Sequence, residues 1–264
     1  MATAELIFMI RNGGFGTNFE IKFFMIVAAF VFCIYDFKKN KRLDYFYIFL
    51  VGTLIWGTVE LSLVLNGTRD FNDVSLFEIQ LPAIVSAYIR GASEGAVIAL
   101  IGIGFGDRFI PKKNRNRTAI YFLFFMGLIA WSIFSGNPSM RDIGGEVASR
   151  RAVFTLVSVS FLAISTLFSL VWYFKLENSR MKKRALFMFL TLVLFATVWT
   201  VFEVVANARW VEIGSEGSYT RAPVAIEFLV LAYDVVIEIG FCYMPYLAIP
   251  SLCGWISNKA KQNG

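Results

Sequence analysis

The sequence contains no histidine. This absence excludes histidine-ligated zinc, haem with a histidine ligand, and catalysis that pairs a serine or cysteine with histidine. The three cysteines, Cys33, Cys242 and Cys253, lie in or beside apolar runs and show no metal-binding spacing, so we interpret them as small buried hydrophobic residues. The sequence therefore predicts neither a cofactor nor a metal site.

Charge is also sparse. Charged residues make up 17% of the sequence, whereas apolar residues make up 57% and recur in runs along the whole chain. A soluble domain of 264 residues has no use for that much lipid-compatible surface, which indicates an integral, multi-pass membrane protein. The net charge of +6 comes from basic residues in short loops, so it reflects membrane topology and predicts no nucleic-acid partner. The composition does not distinguish the plasma membrane from an endomembrane.

The apolar runs predict seven membrane-spanning helices, because a helix of about 20 residues crosses the hydrocarbon core. The predicted spans are 21–37, 44–65, 81–106, 118–135, 152–174, 185–206 and 223–249. The fold class is therefore predicted as an all-α seven-helix bundle that forms one membrane domain, residues 1–264. Its segments are an outer N-terminal segment (1–20), a three-helix unit (21–106), a linker helix (107–151), a second three-helix unit (152–249) and a cytoplasmic tail (250–264).

Basic residues alternate between the loops in a way that predicts the orientation. Sixteen lysines and arginines fall after the first, third, fifth and seventh spans, against eight on the other side. Cytoplasmic segments are enriched in basic residues, so we expect the N-terminus outside and the C-terminus in the cytoplasm. The sparser side holds seven acidic residues: Asp70, Asp73, Glu78, Asp142, Glu146, Glu212 and Glu216.

Two pairs of short motifs suggest an internal repeat. Trp56-Gly-Thr-Val-Glu60 corresponds to Trp199-Thr-Val-Phe-Glu203, and Arg90-Gly-Ala-Ser-Glu94 corresponds to Asp234-Val-Val-Ile-Glu238. Each pair follows a basic loop, which is consistent with parallel three-helix units on either side of a linker helix. Chance similarity between apolar helices is the alternative. In helix number and orientation this 3+1+3 plan resembles the sugar-efflux, PQ-loop and nicotinamide-riboside carriers.

Apart from residues at the ends of the first two spans, such as Lys22 and Asp36, seven charged side chains lie inside the predicted spans: Glu60, Arg90, Glu94, Glu203, Glu227, Asp234 and Glu238. A charged side chain in hydrocarbon costs about 2.5–3.5 kcal/mol, so such residues face a protein interior or water and usually mark a site or pathway. Because six acids face one base, we expect some acids to be protonated, hydrated or neutralised by a bound cation. The structural alternative is that pairs such as Arg90 with Glu94 or Asp234 only hold helices together.

One pattern resembles the microbial rhodopsins. Gly214-Ser-Glu-Gly217 followed by Asp234-Val-Val-Ile-Glu238-Ile-Gly-Phe241 is similar to the last loop and last helix of that family. The position of Glu238 carries the retinal lysine there. The resemblance therefore implies a rhodopsin-like seven-helix protein without a retinal Schiff base.

Another pattern resembles the small seven-span membrane terpene cyclases of meroterpenoid pathways. Those enzymes pair an acid in the second span with an aspartate in the seventh to protonate an epoxide. Glu60 and Asp234 lie in comparable places, with Phe241-Cys-Tyr243 after the aspartate. Trp56 lies four residues before Glu60, where the family has an adjacent Trp-Glu. The resemblance implies Glu60 and Asp234 as catalytic acids between aromatic walls that stabilise a carbocation.

The sequence leaves three functions open. The first is a carrier with an outward-opening, acid-lined cavity for a small cationic or proton-coupled solute. In a carrier, Asp234 and Glu238 would bind the cation or proton, Arg90 would be the counter-charge, and Glu60 and Glu203 would line the entrance. The second is acid-catalysed cyclisation of a lipid-soluble substrate by Glu60 and Asp234. The third is a receptor or a non-catalytic subunit of a membrane complex, and the oligomeric state stays undetermined.

Overall fold

A computed structural model describes residues 6–11, 19–71, 75–135, 149–215 and 218–256 of the chain. It is mostly helical (76%) and contains seven helices. They are α1 (Phe19–Asn40), α2 (Asp44–Leu65), α3 (Ala83–Phe109), α4 (Arg115–Ser135), α5 (Leu156–Lys175), α6 (Ser179–Val205) and α7 (Val224–Tyr233, Asp234–Phe241 and Pro245–Leu252, with a turn at 242–244). The predicted loop charges Asp73, Asp142, Glu146, Glu216, Lys259 and Lys261 lie outside the described residues.

Five of these helices, α2 to α6, are long and apolar enough to cross a membrane, in agreement with the predicted class of membrane protein. The first and last predicted spans are helical too. However, α1 carries Lys22 and Asp36, and α7 is interrupted by the turn at 242–244. Both charged side chains of α1 are buried inside the protein.

Local sequence explains where two of the helices begin. Thr155 precedes α5, and its hydroxyl accepts a hydrogen bond from the Ser158 amide at 3.2 Å. Asn178 precedes α6, and its side chain accepts a hydrogen bond from the Arg180 amide at 2.9 Å. Side-chain oxygens at this position satisfy amides that have no partner inside the helix. The cap at Thr155 therefore starts α5 shortly after the segment that contains Arg151.

Two helices contain a π-helical segment. In α3 it covers Gly91–Val97 and includes Glu94, and in α7 it covers Asp234–Phe241 and includes Glu238. Such segments interrupt the α-helical hydrogen-bond pattern and are frequent at functional sites. Both segments coincide with charged residues that the sequence analysis singled out.

Helices α2 and α3 pack closely through glycines. A Cβ atom at Gly91 would lie 2.2 Å from the Gly57 nitrogen, and one at Gly95 would lie 2.5 Å from the Trp56 Cβ. A larger residue at either position would push the helices apart, as expected for small-residue helix interfaces in membranes. This contact fixes Trp56 of α2 beside the π-helical segment of α3.

The structure contains a five-stranded antiparallel sheet, which the all-α prediction missed. Its strands are β1 (Leu6–Arg11), β2 (Arg69–Phe71), β5 (Ser149–Ala152), β6 (Arg209–Ser215) and β7 (Ser218–Arg221), in the order β2-β5-β1-β6-β7, while β3 (Ser75–Leu76) and β4 (Ile79–Gln80) form a separate hairpin. The central strand β1 places Phe8 opposite both Ala152 and Glu212. These strands are short and carry charged residues, so hydropathy gives no signal for them.

The five strands come from the segment before α1 and from the connections after α2, α4 and α6. These segments all lie at the same end of the helices, and we call it the sheet end.

The main apolar core lies between the helices and includes Cys33. Cys33 and Cys242 are buried as predicted, whereas Cys253 is exposed, so the buried interpretation is wrong for Cys253.

Candidate functional site

The sheet brings arginines to the carboxylates of α7. Arg209 of β6 donates to the Asp234 carboxylate, from Nη2 to Oδ2, at 2.6 Å. Arg151 of β5 lies between two acids, with Nη2 2.7 Å from Glu238 Oε2 and 3.6 Å from Asp234 Oδ1. Asp234, Glu238 and Arg209 are each no more than 3% exposed. Because a buried charge is costly when it has no partner, this mutual pairing is what permits their burial.

Glu94 of α3 belongs to the same group of charges. Its carboxylate pairs with the Lys22 ammonium of α1 and lies 3.9 Å from the Arg11 guanidinium of β1. Glu203 of α6 pairs with Arg209 at 3.3 Å. We call these eight residues the sheet-end cluster: Arg11, Lys22, Glu94, Arg151, Glu203, Arg209, Asp234 and Glu238.

The sheet-end cluster changes the charge balance that we expected. The prediction of six acids facing one base left out Lys22, near the end of the first span, and it could not include Arg11, Arg151 and Arg209, which enter from strands. Burial acts to lower the pKa of the Arg11 guanidinium, but the surrounding carboxylates, Glu203 foremost, outweigh it and hold the pKa above its usual range. The same balance of burial and carboxylates raises the pKa of Arg151. These acids therefore do not need a bound cation to balance their charge.

Three of the predicted site residues have other surroundings. Glu227, near the start of α7, pairs with the exposed Arg221 of β7 at 2.9 Å. The Arg90 guanidinium lies 4.8 Å from the centre of the Phe19 ring. Glu60 of α2 is fully buried. Of the seven predicted residues, the structure thus brings four into the sheet-end cluster: Glu94, Glu203, Asp234 and Glu238.

Four members of the cluster were not among the site residues predicted from the sequence: Arg11, Lys22, Arg151 and Arg209. A signal for them was present. All four belong to the eight basic residues on the side of the chain that the charge pattern makes poor in lysine and arginine. Basic residues that depart from the positive-inside trend, and that lie close to apolar runs, are therefore candidates for partners of intramembrane acids.

A large cavity lies between α2 and α5 and reaches the cluster, and we call it the chamber. Its volume is about 510 Å³, which is typical of small-molecule pockets. Most of its lining is apolar: Leu54, Ile55, Trp56, Thr58, Val59, Ser62, Leu63, Arg151, Val157, Ser158, Phe161 and Leu162. Leu54 and Val157 are exposed on the outside of the helices. The chamber therefore opens between α2 and α5 toward the apolar exterior.

A smaller cavity of about 40 Å³, which we call the polar cavity, lies inside the cluster. It is lined by Arg11, Trp56, Glu94, Ile98, Arg151, Asp234, Glu238, Ile239 and Tyr243. It has room for a small polar group or a few water molecules. Trp56 and Arg151 line both cavities, so these two side chains form the boundary between the apolar chamber and the charged interior.

Two buried polar atoms at this boundary have no hydrogen-bond partner among the described residues. They are the indole Nε1 of Trp56, which can only donate, and Oε1 of Glu238. Trp56 is 7% exposed and Glu238 is 3% exposed. An unsatisfied buried polar atom costs about 1–3 kcal/mol, so such atoms indicate that a ligand or water completes the site. The Trp56 ring also lies 5.6 Å from the ring of Tyr243 and 6.1 Å from that of Phe161.

Comparisons with models of protein families, with curated proteins and with solved structures give no match to this chain. Within the described ranges, no group of three or more His, Cys, Asp or Glu side chains is placed to hold a metal ion. The resemblances to microbial rhodopsins and membrane terpene cyclases stay at the level of the short patterns that suggested them. The function is therefore inferred from the geometry.

Proposed function

We propose that this chain is a membrane-embedded enzyme that takes a lipid-soluble substrate from the bilayer and isomerises or cyclises it by proton transfer. The observation that carries this proposal is the junction of the chamber with the polar cavity at Trp56 and Arg151. The chamber has space for an apolar substrate body. Glu238 lines the polar cavity on the other side of this junction.

We further propose that all seven helices cross the bilayer, with the sheet on the outer side. The basic loops lie at the opposite end of the helices, as the positive-inside trend requires for the cytoplasmic side. The chamber walls are residues 54–63, toward the sheet end of α2, and 157–162, at the start of α5. The substrate then enters sideways from the outer half of the membrane, and no polar route from the cytoplasm is needed.

Glu238 is the residue that we assign as the proton donor. Asp234 contacts two guanidinium groups, those of Arg151 and Arg209, which stabilise its carboxylate form. Glu238 contacts only Arg151 among the arginines of the described residues, through Oε2, and its Oε1 is the atom without a partner there. Asp234 therefore positions the arginines, and Glu238 exchanges the proton. This assignment differs from the pair of Glu60 and Asp234 that the cyclase resemblance implies.

The proposed reaction balances without a co-reactant. Glu238 gives its proton to one carbon of a substrate double bond. A second double bond attacks the cationic carbon that results, which closes a ring, and a proton lost from a neighbouring carbon returns to the Glu238 carboxylate. The product is an isomer of the substrate. The rings of Trp56, Tyr243 and Phe161 adjoin this region and can stabilise the cation through their faces.

The test is conversion of unsaturated isoprenoid lipids, such as farnesol, geranylgeraniol and squalene, by the purified protein in lipid nanodiscs and D₂O. Protonation of carbon predicts a product with the substrate's elemental composition and one hydrogen replaced by deuterium. Glu238→Gln should slow its formation by about 10²–10⁴-fold, the usual contribution of a general acid. Glu227→Gln, which changes another carboxylate of α7, should not. A Glu238→Gln protein as active as the wild type would contradict the assignment.

A carrier for a small cationic or proton-coupled solute is the second candidate. The observation in its favour is a third cavity, of about 60 Å³, lined by Arg11, Lys22, Glu94 and Glu203 among others. Proteoliposomes with a pH-sensitive dye inside distinguish the two functions. Solute-dependent proton uptake that Asp234→Asn abolishes favours the carrier. Formation of a deuterated isomer without proton uptake favours the enzyme.

A further inference from the structure

We infer that the substrate is an uncharged lipid alcohol, whose hydroxyl group enters the polar cavity while its apolar body occupies the chamber. This inference rests on the proposed function and adds the class of substrate to it. It separates alcohols from the common anionic lipids, such as fatty acids, phosphatidic acid and prenyl phosphates. The sizes of the two cavities, the charges around the polar cavity and the unsatisfied hydrogen-bonding atoms each support this inference.

The two cavities differ greatly in size. The chamber holds about 510 Å³ and the polar cavity about 40 Å³. A single water molecule needs about 10–15 Å³ of such space. The polar cavity therefore has room for a small polar group or a few water molecules. A sugar head group is too large for it.

The charges around the polar cavity already have partners. Arg151 lies 2.7 Å from Glu238 and 3.6 Å from Asp234, so the Asp234 carboxylate pairs with it also when Glu238 is protonated, and Arg11 lies 3.9 Å from Glu94. An anionic head group would have to displace one of these carboxylates or lie beside the buried Asp234, where like charges repel. An uncharged group avoids both costs.

The unsatisfied atoms specify the hydrogen bonds. The Trp56 N–H can only donate, so the ligand must offer an acceptor. Glu238 Oε1 accepts when the carboxyl group is ionised and can donate when it is protonated. A hydroxyl group suits both states, because its oxygen accepts and its hydrogen donates. A hydrocarbon end would leave both atoms unsatisfied.

The experiment compares three molecules with the same carbon skeleton: farnesol, the hydrocarbon farnesane, and farnesyl phosphate. Each competes with radiolabelled farnesol for the protein in nanodiscs, with concentrations corrected for partition into the lipid. We expect farnesol to bind about tenfold more tightly than either of the others, because only farnesol satisfies both atoms. The readout is binding, so it does not depend on conversion.

Trp56→Phe is the decisive variant, because it keeps an aromatic ring and removes the N–H. Farnesol affinity should fall about tenfold, while farnesane affinity should not change. Trp131→Phe, at an exposed position of α4, is the matched control and should change neither. The melting temperature of each variant shows that the protein is folded.

Three results would overturn the inference. The first is tighter binding of farnesyl phosphate, which would indicate an anionic substrate. The second is equal binding of farnesane, or an unchanged farnesol affinity in Trp56→Phe, because no polar subsite would then exist. The third is a folded wild-type protein that binds none of the three. Failure of the proposed function looks different: farnesol binds with the expected preference, but no deuterated isomer forms.

Discussion

Two buried ionic clusters lie at opposite ends of the helices, and they differ in how completely their polar atoms are satisfied. At the end opposite the sheet, Arg184 binds Asp107 through two bonds of 2.8 Å and Asp44 through one of 2.9 Å. Arg42 bonds to Asp36 at 2.8 Å and to the Tyr45 hydroxyl at 3.0 Å. We call these six residues the opposite-end cluster. Within the described residues, none of its side chains has a buried polar atom without a partner.

The two clusters show how structural charges differ from candidate functional ones. Both clusters bury several ions, so burial of charge does not by itself indicate a site. The opposite-end cluster joins α1, α2, α3 and α6 with a saturated network, which suits a structural role. The sheet-end cluster contains a cavity and the unsatisfied Glu238 Oε1, and Trp56 connects it to the chamber. An incomplete network beside a cavity is the feature that indicates a ligand.

The largest effect should come from Arg184→Met in the opposite-end cluster. It leaves the Asp44 and Asp107 carboxylates without their buried guanidinium partner, and the free energy of unfolding should fall by about 3–5 kcal/mol. Unfolding in detergent measures the loss. Arg180→Met, at an exposed position of the same helix, is the control. The Arg184→Met molecules that remain folded should bind farnesol as the wild type does. If Arg184→Met stayed as stable as the wild type but lost farnesol binding, the structural role of this cluster would be contradicted.

A second variant, Val59→Trp, tests the chamber. The larger side chain fills part of the space between α2 and α5, so farnesol affinity should fall about tenfold, or ~1.4 kcal/mol. Leu50→Trp places the same ring at an exposed position of the same helix, and binding should not change. If Val59→Trp bound farnesol normally, the chamber would not be the binding site. The sheet end would then show no functional difference from the opposite end.

The smallest effect should come from Arg221→Gln. This change removes the ion pair with the buried Glu227, but Arg221 is exposed and the glutamine amide can still donate a hydrogen bond to that carboxylate. The free energy of unfolding should therefore change by less than about 1 kcal/mol. Thermal unfolding of Arg221→Gln and of Arg184→Met, measured under the same conditions, compares the two effects. If Arg221→Gln lowered the free energy of unfolding as much as Arg184→Met, burial of the arginine would not explain how strongly each ion pair stabilises the protein.

The helices were predictable because apolar run length is a local property of the sequence. The predicted span 44–65 coincides with α2, Asp44–Leu65. The sixth helix begins at Ser179, earlier than the predicted 185, because Asn178 caps it and the first turns are helical although they are basic. Arg184 then lies inside the helix and is buried in an ion pair. A prediction from hydropathy alone assigns such a charged residue to a loop.

The site was predictable only in part. Asp234 and Glu238 stand out because acids are rare in an apolar run. Their arginine partners stand out only because they lie on the side of the chain that is poor in basic residues. Which acids they meet depends on the pairing of β1 with β6, which brings Arg11 beside Arg209 from distant parts of the chain. No local pattern specifies that pairing. The 3+1+3 repeat stays a prediction.

Photocrosslinking shows whether a lipid alcohol occupies the chamber. A farnesol analogue with a diazirine in its chain is irradiated with the wild-type protein in nanodiscs, and mass spectrometry locates the modified residues. We expect crosslinks within 54–63 of α2 and 157–162 of α5, which excess farnesol suppresses. Crosslinks spread over the exposed face of α4 and insensitive to excess farnesol would contradict this expectation.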